Sequence, residues 1–534
     1  MQPYDLAIIG GGINGAGIAR DAAGRGLCVL LVEQHDLASA TSSASTKLIH
    51  GGLRYLEYFE FRLVSEALEE REALLGIAPH IVWPQQFILP HEKHLRPAWM
   101  IRSGLFLYDH LGRGAFALRG GRSSLPRSRR VPLHQDAFGA GLKPEFDNGF
   151  SYYDCWVDDA RLVVLNARAA KAHGARILTR TRLTNAHRAR QTPPAAASSD
   201  AAGTWTLTLE GIDGHEVQQV SARVLINAAG PWVQRVLEHE IGMASPGKVR
   251  LVKGSHIVVP RLHAKSHAFI LQNPDRRIIF MIPYEREFTL IGTTDVPLPP
   301  SSDNGPDGGF VHPTASAEEV AYLCESASRY SATAITPGHV VWSYSGVRAL
   351  YDDGSQNPSA VTRDYHLLLD TGSEPGDAPL LSVFGGKITT YRRLAEAALE
   401  NLQRWFPGTR PWTLTEALPG GDFHGRSFTT MLEDLQRRYS GLPPLLVARL
   451  MRRHGTLAET ILGNAKSEKD LGENFGGGLY EVELRYLLAN EWARAADDVL
   501  WRRTKCGLHM NEAERRHLDE VLPAMLQSVA CNTG

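Results

Sequence analysis

Cysteine, net charge and long apolar runs are all scarce in this chain of 534 residues. Its five cysteines are scattered and none has CxxC spacing, which excludes a disulfide scaffold and predicts reduced thiols in a reducing compartment. Its 57 basic and 58 acidic residues leave a formal charge of −1, so no global field attracts nucleic acid or anionic lipid. No apolar run could span a bilayer, and the sequence starts without the basic and apolar stretches of a targeting signal. We therefore expect a cytoplasmic protein with at most a peripheral membrane contact.

The chain is too long to fold around a single hydrophobic core, so we expect two to four domains. Tyr4–Ile9 and segment 28–33 have strand patterns around a helical segment 14–25, and this βαβ unit predicts a parallel sheet. Strand-like pieces within 251–295 indicate a separate antiparallel sheet. After about residue 411 only helical patterns remain, which predicts a helical C-terminal domain.

A glycine-rich turn joins the first strand to the helix and contains GxGxxG at Gly10, Gly12 and Gly15. The first glycine permits a tight turn, the second lets the backbone approach a diphosphate, and the third lets helix and strand pack closely. The diphosphate then lies at the helix N-terminus, and Glu33 can accept hydrogen bonds from a ribose hydroxyl. Together these features favour a dinucleotide site over an ordinary glycine-rich turn.

Three further segments carry the small or hydroxyl-bearing residues that a bound cofactor requires. Segment 41–55 offers hydroxyls to a diphosphate or ribityl chain and two glycines to a flat ring, which favours FAD over NAD. Segments 227–232 and 382–392 place small residues between a strand and a helix, a pattern equally typical of ordinary connections. The candidate cofactor-binding residues are Gly10, Gly12, Asn14, Gly15, Glu33, Thr41, Ser42, Ser45, Lys47, His50, Gly51, Gly52, Gly230, Gly385, Gly386, Lys387 and Thr389.

With these motifs the chain resembles, over essentially its whole length, the aerobic FAD-dependent glycerol-3-phosphate dehydrogenases of the D-amino-acid-oxidase-like flavoprotein superfamily. The resemblance is carried by IIGGGINGAGIARDAAGRGL (8–27), TSSASTKLIHGGLRYLE (41–57), YDCWVDDARLV (153–163), KGSHIVVP (253–260), IGTTDV (291–296), YSGVRAL (344–350), SVFGGKITTYR (382–392) and ADDVLWRRTK (496–505).

The resemblance implies an α/β fold with three parts. These are a discontinuous Rossmann-like FAD-binding domain (1–80, 145–235 and 340–408), an inserted antiparallel-sheet substrate domain (81–144 and 236–339) and a C-terminal all-helical cap domain (409–534). It also implies non-covalent FAD and oxidation of sn-glycerol 3-phosphate to dihydroxyacetone phosphate. Electrons would pass to a membrane quinone from a homodimer bound peripherally to the inner face of the cytoplasmic membrane.

A phosphorylated substrate calls for basic side chains, because arginine binds phosphate through two parallel hydrogen bonds. Arg54, Arg348, Arg363 and Lys387 lie in family-like motifs, whereas an arbitrary arginine more often forms a surface salt bridge. The resemblance therefore assigns these four residues, with Tyr55 and Asp295, to the substrate. We expect Arg348 to pair with the phosphate in a largely desolvated pocket, and Asp295 to orient a positive group or the substrate hydroxyls.

Hydride transfer from C2 of a polyol also requires a base for the C2 hydroxyl proton. His256 is the predicted base and His50 the alternative, so the candidate catalytic residues are His256, Arg348, Lys387 and Arg54. Two other functions stay open: a related flavin oxidase acting on an amine or amino acid, and a non-catalytic flavin-binding scaffold. Several basic residues in separate motifs favour the phosphate substrate over both.

Segment 99–111 is apolar and flanked by Arg96 and Arg102, which fits either a buried substrate-domain helix or a membrane contact. The pairs His91 with His94 and His263 with His267 have helical spacing, but no cysteine or carboxylate pattern accompanies them. We therefore expect no metal site.

Overall fold

The described residues of the protein include two β-sheets and a helical C-terminal region. The structure, a computed structural model, describes residues 3–92, 96–118, 125–134, 137–189, 203–212, 216–275, 277–298, 313–352 and 364–532. Within those ranges the side chains of Arg54, Glu57, Tyr58 and residues 112–118, among a few others, lie outside the description.

The first sheet is mainly parallel and is built around the predicted βαβ unit. Tyr4–Ile9 pairs in parallel with Val29–Val32 on one side and Val217–Asn227 on the other. The Val29–Val32 strand is buried throughout, as expected where helices cover both faces of a parallel sheet. The strands are Tyr4–Ile9, Val29–Val32, Arg176–Leu178, Thr181–Ala189, Thr204–Gly211, Val217–Asn227, His366–Asp370 and Leu380–Phe384. The prediction of a Rossmann-like sheet from discontinuous segments is confirmed.

The second sheet is antiparallel except where Ala268–Gln272 pairs in parallel with Val82–Pro90. Its long central strand, Val249–Pro260, pairs with Phe288–Gly292 and with Trp342–Tyr351. Its strands are Leu48–Ile49, Val82–Pro90, Arg129–Pro132, Asn148–Val157, Val249–Pro260, Ala268–Gln272, Ile278–Tyr284, Phe288–Gly292, Val296–Pro297 and Trp342–Tyr351. The predicted antiparallel sheet is therefore present.

Three strands join a different sheet from the one that the predicted boundaries imply. Leu48–Ile49, in the predicted FAD-binding segment 1–80, pairs with Asn148–Val157 of the second sheet. Asn148–Val157 pairs with Val82–Pro90, and Trp342–Tyr351 pairs with Val249–Pro260, although 145–235 and 340–408 are predicted as FAD-binding segments. A strand pattern does not reveal its partner, because paired strands are distant in sequence. The domain boundaries themselves stay a prediction.

After Phe384 the described residues form helices and turns, apart from an isolated bridge between Asn474 and Tyr480. The last helix begins with a capping box in which Glu514 N donates to Asn511 Oδ1 at 3.0 Å, and Asn511 N donates to Glu514 Oε2 at 2.8 Å. The helical C-terminal domain is confirmed. The longer helices of the chain are Ile13–Gly24, Phe61–Ile77, Ala98–Leu118, Asp159–Ala172, Ala317–Ser328, Tyr391–Asn401, Phe428–Arg438, Pro444–His454, Glu481–Asn490 and Glu512–Asn532.

Length and hydropathy together decide whether a helix can cross a bilayer. Among the described residues, no helix meets both requirements. The five cysteines all lie in the described part of the chain and are free.

Candidate active site

The glycine turn has the geometry that GxGxxG predicts. Gly10 has φ +111°, and a Cβ on it would lie 2.5 Å from the Ala228 carbonyl oxygen. A Cβ on Gly15 would lie 1.9 Å from the Gly10 carbonyl oxygen, so helix and strand pack too closely there for any side chain. A Cβ on Gly12 would meet only Ser42 Oγ, at 3.2 Å. Gly12 therefore leaves open the space in which a diphosphate would reach the helix N-terminus.

Glu33 is held at the end of the second strand by two backbone donors. Its carboxylate accepts hydrogen bonds from Gly11 N at 2.6 Å and from His35 N at 2.8 Å. Burial raises the pKa of Glu33, and these two hydrogen bonds oppose that rise. Each carboxylate oxygen can accept a further bond, so the side chain is oriented for a ribose hydroxyl.

The hydroxyl-rich segment ties the glycine turn to the second sheet. Ser42 Oγ accepts a hydrogen bond from Ile13 N at 3.0 Å, and Thr41 Oγ1 donates to the Val347 carbonyl at 2.7 Å. Ser45 donates to Asp159 through both its backbone N and its hydroxyl. The segment therefore forms a fixed wall between the two sheets.

The segment after the last strand closes the opposite side. Asn14 Nδ2 donates to the Gly385 carbonyl at 3.1 Å, and a Cβ on Gly386 would lie 2.8 Å from that same nitrogen. Thr389 Oγ1 accepts a hydrogen bond from His50 N at 3.4 Å. Two glycines with positive φ thus let this backbone pack directly on the first helix.

Between these walls lies a cavity of about 620 Å³. Most of the predicted site residues line it, and they come from both sheets. They are Gly10, Gly12, Asn14, Glu33, Thr41, Ser42, Ser45, His50, Tyr55, Gly230, His256, Arg348, Gly385, Gly386, Lys387 and Thr389. The fit to a dinucleotide rests on the open space at Gly12 and on the oriented carboxylate of Glu33.

The other predicted residues lie beside the cavity or outside the description. Gly15, Gly51, Gly52 and Asp295 lie next to residues that form its wall. Lys47 is buried, with Nζ 2.8 Å from Asp159 Oδ1 and 3.0 Å from the Ser43 carbonyl. Its ammonium group therefore binds residues of the wall and does not face the cavity. Arg363 and the side chain of Arg54 lie outside what the structure describes.

Arg348 and Lys387, two of the cations predicted for the substrate, both line the cavity. Arg348 Nη2 lies 2.6 Å from Asp295 Oδ1 and donates to the Thr294 carbonyl at 3.1 Å. Lys387 Nζ lies 4.1 Å from the centre of the Tyr55 ring. The Arg348 side chain is 32% exposed. The cavity is therefore more open around Arg348 than the largely desolvated pocket that the sequence predicts. Of the two roles predicted for Asp295, the geometry favours orienting a positive group.

His256 is buried in the wall of the cavity. Its ring stacks on Tyr344 at 4.8 Å between centroids, and Nε2 lies 3.0 Å from Thr46 Oγ1. Burial lowers the pKa of His256 well below its usual value, and the charges of Lys47 and Arg348 lower it further. The imidazole is therefore neutral near pH 7, and the Thr46 hydroxyl to which it is hydrogen-bonded also lines the cavity.

Four residues that line the cavity are not among the predicted site residues: Thr46, Tyr344, Trp501 and Arg502. All four lie inside segments that carry the family resemblance, so the sequence indicates that these segments matter but not that these side chains line the cavity. Trp501 comes from the C-terminal domain and stacks on Trp342 of the second sheet, with 4.8 Å between ring centres. The C-terminal domain therefore contributes to the wall of the cavity.

In the part of the chain that the structure covers, no group of three His, Cys, Asp or Glu residues is placed to hold a metal ion. His263 and His267 stack on each other at 4.9 Å, and burial lowers the pKa of each to about 4. His94 lies outside the described residues.

Comparison with known proteins gives matches along the chain. The sequence model described as FAD dependent oxidoreductase matches residues 5–392, and that of the C-terminal domain of alpha-glycerophosphate oxidase matches 412–532. The aerobic glycerol-3-phosphate dehydrogenase of Escherichia coli K12 is 50% identical, over 98% of both chains. The D-erythritol 1-phosphate dehydrogenase of Brucella abortus is 48% identical, over 96% of both. A solved glycerol-3-phosphate dehydrogenase from Bacillus halodurans, in complex with FAD, aligns with a TM-score of 0.72 at 25% identity, covering 99% of this chain and 91% of the other.

Proposed function

The chain belongs to the family of FAD-dependent oxidoreductases, and from that premise we propose that it oxidises sn-glycerol 3-phosphate to dihydroxyacetone phosphate. The observation that carries the proposal is one continuous cavity. Its wall holds the dinucleotide features at Gly12 and Glu33 together with the cations Arg348 and Lys387. One arginine can suffice to bind the carboxylate of an amino acid, so two cations in separate motifs favour a phosphate, and a scaffold has no use for a phosphate pocket.

The substrate phosphate is the natural partner of Arg348 and Lys387. Phosphate carries about 1.5 to 2 negative charges near pH 7, and a guanidinium binds it through two parallel bonds. In the structure Arg348 is held by the Asp295 carboxylate, which fixes its position without using all of its five N–H donors. We propose that Arg54 and Arg363, assigned by resemblance, complete the anion site.

The base must take the C2 hydroxyl proton from a bound substrate. Bound FAD would supply the hydride acceptor. His256 is neutral and can accept a proton at Nε2, but the ring is buried, so we propose that the proton reaches it through the Thr46 hydroxyl. His50 lines the cavity as well and remains the alternative base.

The lowered pKa of His256 makes a prediction about pH. His256 can accept a proton only while its ring is neutral, and its lowered pKa keeps the ring neutral down to a more acidic pH. The acid limb that His256 contributes to the kcat/KM profile should therefore lie below the ordinary histidine pKa of about 6.5. The substrate phosphate itself titrates at about pH 6 and adds a limb of its own. Profiles of kcat/KM for the wild type, His256→Gln and His50→Gln separate the two contributions. An acid limb above the ordinary histidine pKa that disappears in His256→Gln would contradict the lowered pKa of His256. An acid limb that disappears only in His50→Gln would identify His50 as the base.

The substrate is tested by comparing three polyols. We expect dye-linked kcat/KM to be highest for glycerol 3-phosphate, lower for D-erythritol 1-phosphate and poor for glycerol, which lacks the phosphate that Arg348 binds. The erythritol ester is the necessary competitor, because a relative at 48% identity is named for it. Faster turnover of the erythritol ester would leave the oxidation of a phosphorylated polyol in place but contradict glycerol 3-phosphate as the preferred substrate.

We propose further that electrons pass to a membrane quinone and that the protein, as a homodimer, docks on the inner face of the cytoplasmic membrane. The helix Ala98–Leu118 supports a docking surface, because its two faces differ. Leu105 and Tyr108 are buried, whereas Trp99 is 68% exposed and Phe106 is 55% exposed. Phe59 and Phe61, close to the start of the helix Phe61–Ile77, are exposed as well. Exposed aromatic side chains of this kind are typical of interfacial contacts.

Removing this surface should weaken lipid binding without changing the chemistry. We expect Trp99→Ser with Phe106→Ser to lower the fraction that floats with vesicles of anionic phospholipid, because the lost apolar area supplies the binding free energy. Dye-linked turnover should be unchanged. Leu445→Ser is the matched control, since Leu445 is 63% exposed but lies in the C-terminal domain. Equal flotation of the double variant and the control would contradict docking through this helix, and a wild type that never floats would contradict docking altogether.

A further inference from the structure

One turn of the C-terminal domain, Asp498–Arg503, reaches the loop that follows the second strand of the first sheet. Arg503 Nη1 and Nη2 donate to the two Asp36 carboxylate oxygens at 2.8 and 2.7 Å, and Arg502 Nε donates to Asp36 Oδ2 at 2.6 Å. Asp36 and Arg503 are both buried. These bonds therefore join distant parts of the chain away from solvent, where charge-assisted bonds are strongest.

Asp36 belongs to the same loop as Glu33, the predicted ribose ligand. His35 N donates to Glu33 Oε1 at 2.8 Å, and Ala38 N donates to the Gly11 carbonyl at 3.1 Å. Ala38 also has φ +60°, a conformation that a non-glycine residue keeps only when its surroundings hold it. The loop is thus one hydrogen-bonded unit, and fixing Asp36 fixes the position of Glu33.

Each arginine also has a carboxylate partner inside its own domain. Arg502 Nη2 lies 2.5 Å from Asp498 Oδ1, and Arg503 Nε lies 3.9 Å from Glu491 Oε2. Both carboxylates are shared, because Glu491 also pairs with Arg161 and Asp498 also pairs with Arg180, so Asp36 is the nearest counter-charge of Arg503. What Asp36 adds is the connection to the loop that carries the ribose carboxylate.

We infer that Arg502 and Arg503 are positioning residues for FAD: through Asp36 they hold the Glu33 loop, so the C-terminal domain sets how tightly the cofactor is retained. Asp36 and Arg503 lie behind the cavity wall, and their effect on the cofactor is indirect. Arg502 also reaches the wall, so its own variants would mix direct and indirect effects. The inference concerns cofactor retention and stands whichever phosphorylated polyol is the substrate.

The test is the FAD dissociation constant of the holoenzyme, from free FAD in the ultrafiltrate at serial dilution. Asp36→Asn keeps the shape of the side chain and leaves each arginine a carboxylate in its own domain. We expect it to raise the dissociation constant about tenfold or more, the scale of a charge-assisted hydrogen bond. Glu483→Gln is the matched control, because Glu483 is a buried carboxylate that pairs with Arg453 and His454 inside the C-terminal domain.

Both variants should lower the melting temperature, but only Asp36→Asn should loosen FAD. If the two variants raise the dissociation constant equally, the effect is general destabilisation and the inference fails. It fails as well if Asp36→Asn retains FAD like the wild type. Should Asp36→Asn not fold, Arg503→Lys keeps the charge but loses the two-pronged contact with Asp36. A dissociation constant for Arg503→Lys no higher than that of Glu483→Gln would then overturn the inference.

Discussion

Replacing Gly12 with valine should abolish FAD binding while leaving the chain folded. The Cβ of the new side chain would meet Ser42 Oγ at 3.2 Å, and its methyl groups would extend into the space where a diphosphate meets the helix N-terminus. Gly12 has φ −78°, so valine needs no strained backbone there. The expected result is a protein with a normal circular dichroism spectrum, no visible flavin band and no FAD released on denaturation.

The control for Gly12→Val is Gly76→Val, on the helix Phe61–Ile77. A Cβ on Gly76 would meet nothing within 4 Å, and the residue is exposed. This variant should keep its full FAD content, because it adds the same side chain away from the cavity. A folded Gly12→Val protein with as much FAD as Gly76→Val would remove the glycine turn from the cofactor site.

Arg348→Ala should lower kcat/KM for glycerol 3-phosphate by about 30- to 150-fold. Truncating one partner of a desolvated charge pair costs about 2–5 kcal/mol. Since Arg348 is 32% exposed, we expect the lower part of that range, about 2–3 kcal/mol, with tenfold for each 1.4 kcal/mol. The loss also leaves the Asp295 carboxylate beside the site without its cation, where it would repel the phosphate.

Three companion measurements identify the Arg348 effect as loss of a phosphate contact. FAD content should stay normal, because the dinucleotide features lie in other segments. Arg348→Lys should recover only part of the rate, since an ammonium cannot reproduce the two-pronged guanidinium contact. The poor turnover of glycerol should hardly change. Near wild-type kcat/KM for glycerol 3-phosphate in Arg348→Ala would exclude this residue from the substrate site.

The dinucleotide half of the site could be read from the sequence because its determinants are local. The Gly10 to Gly15 turn, its strand and its helix lie within a few residues, and the close contact of Gly15 with the Gly10 carbonyl falls inside that stretch, although Gly10 and Gly12 also face Ala228 and Ser42. The capping box at Asn511 and Glu514 is local in the same sense, because its two residues lie three positions apart. Patterns of this kind need no knowledge of the tertiary fold.

The features that depend on distant contacts were less accessible. The pairing of Arg348 with Asp295 joins the strand Trp342–Tyr351 to the residue before Val296–Pro297, and the Arg503 bonds to Asp36 span nearly the whole chain. Neither contact leaves a spacing pattern in one sequence, so the contribution of the C-terminal domain to the cavity went unpredicted. The openness around Arg348 was also missed, because solvent exposure is set by the packing of both sheets.

The most direct test of the proposed function is the visible flavin absorbance of the purified protein after anaerobic addition of glycerol 3-phosphate. The account predicts that the band bleaches at once and stoichiometrically with bound FAD, that dihydroxyacetone phosphate appears in equal amount, and that glycerol at the same concentration bleaches the band far more slowly. A band that persists with glycerol 3-phosphate would contradict the proposed substrate. If it also persisted with D-erythritol 1-phosphate, amines and amino acids, the protein would bind flavin without oxidising any of these compounds.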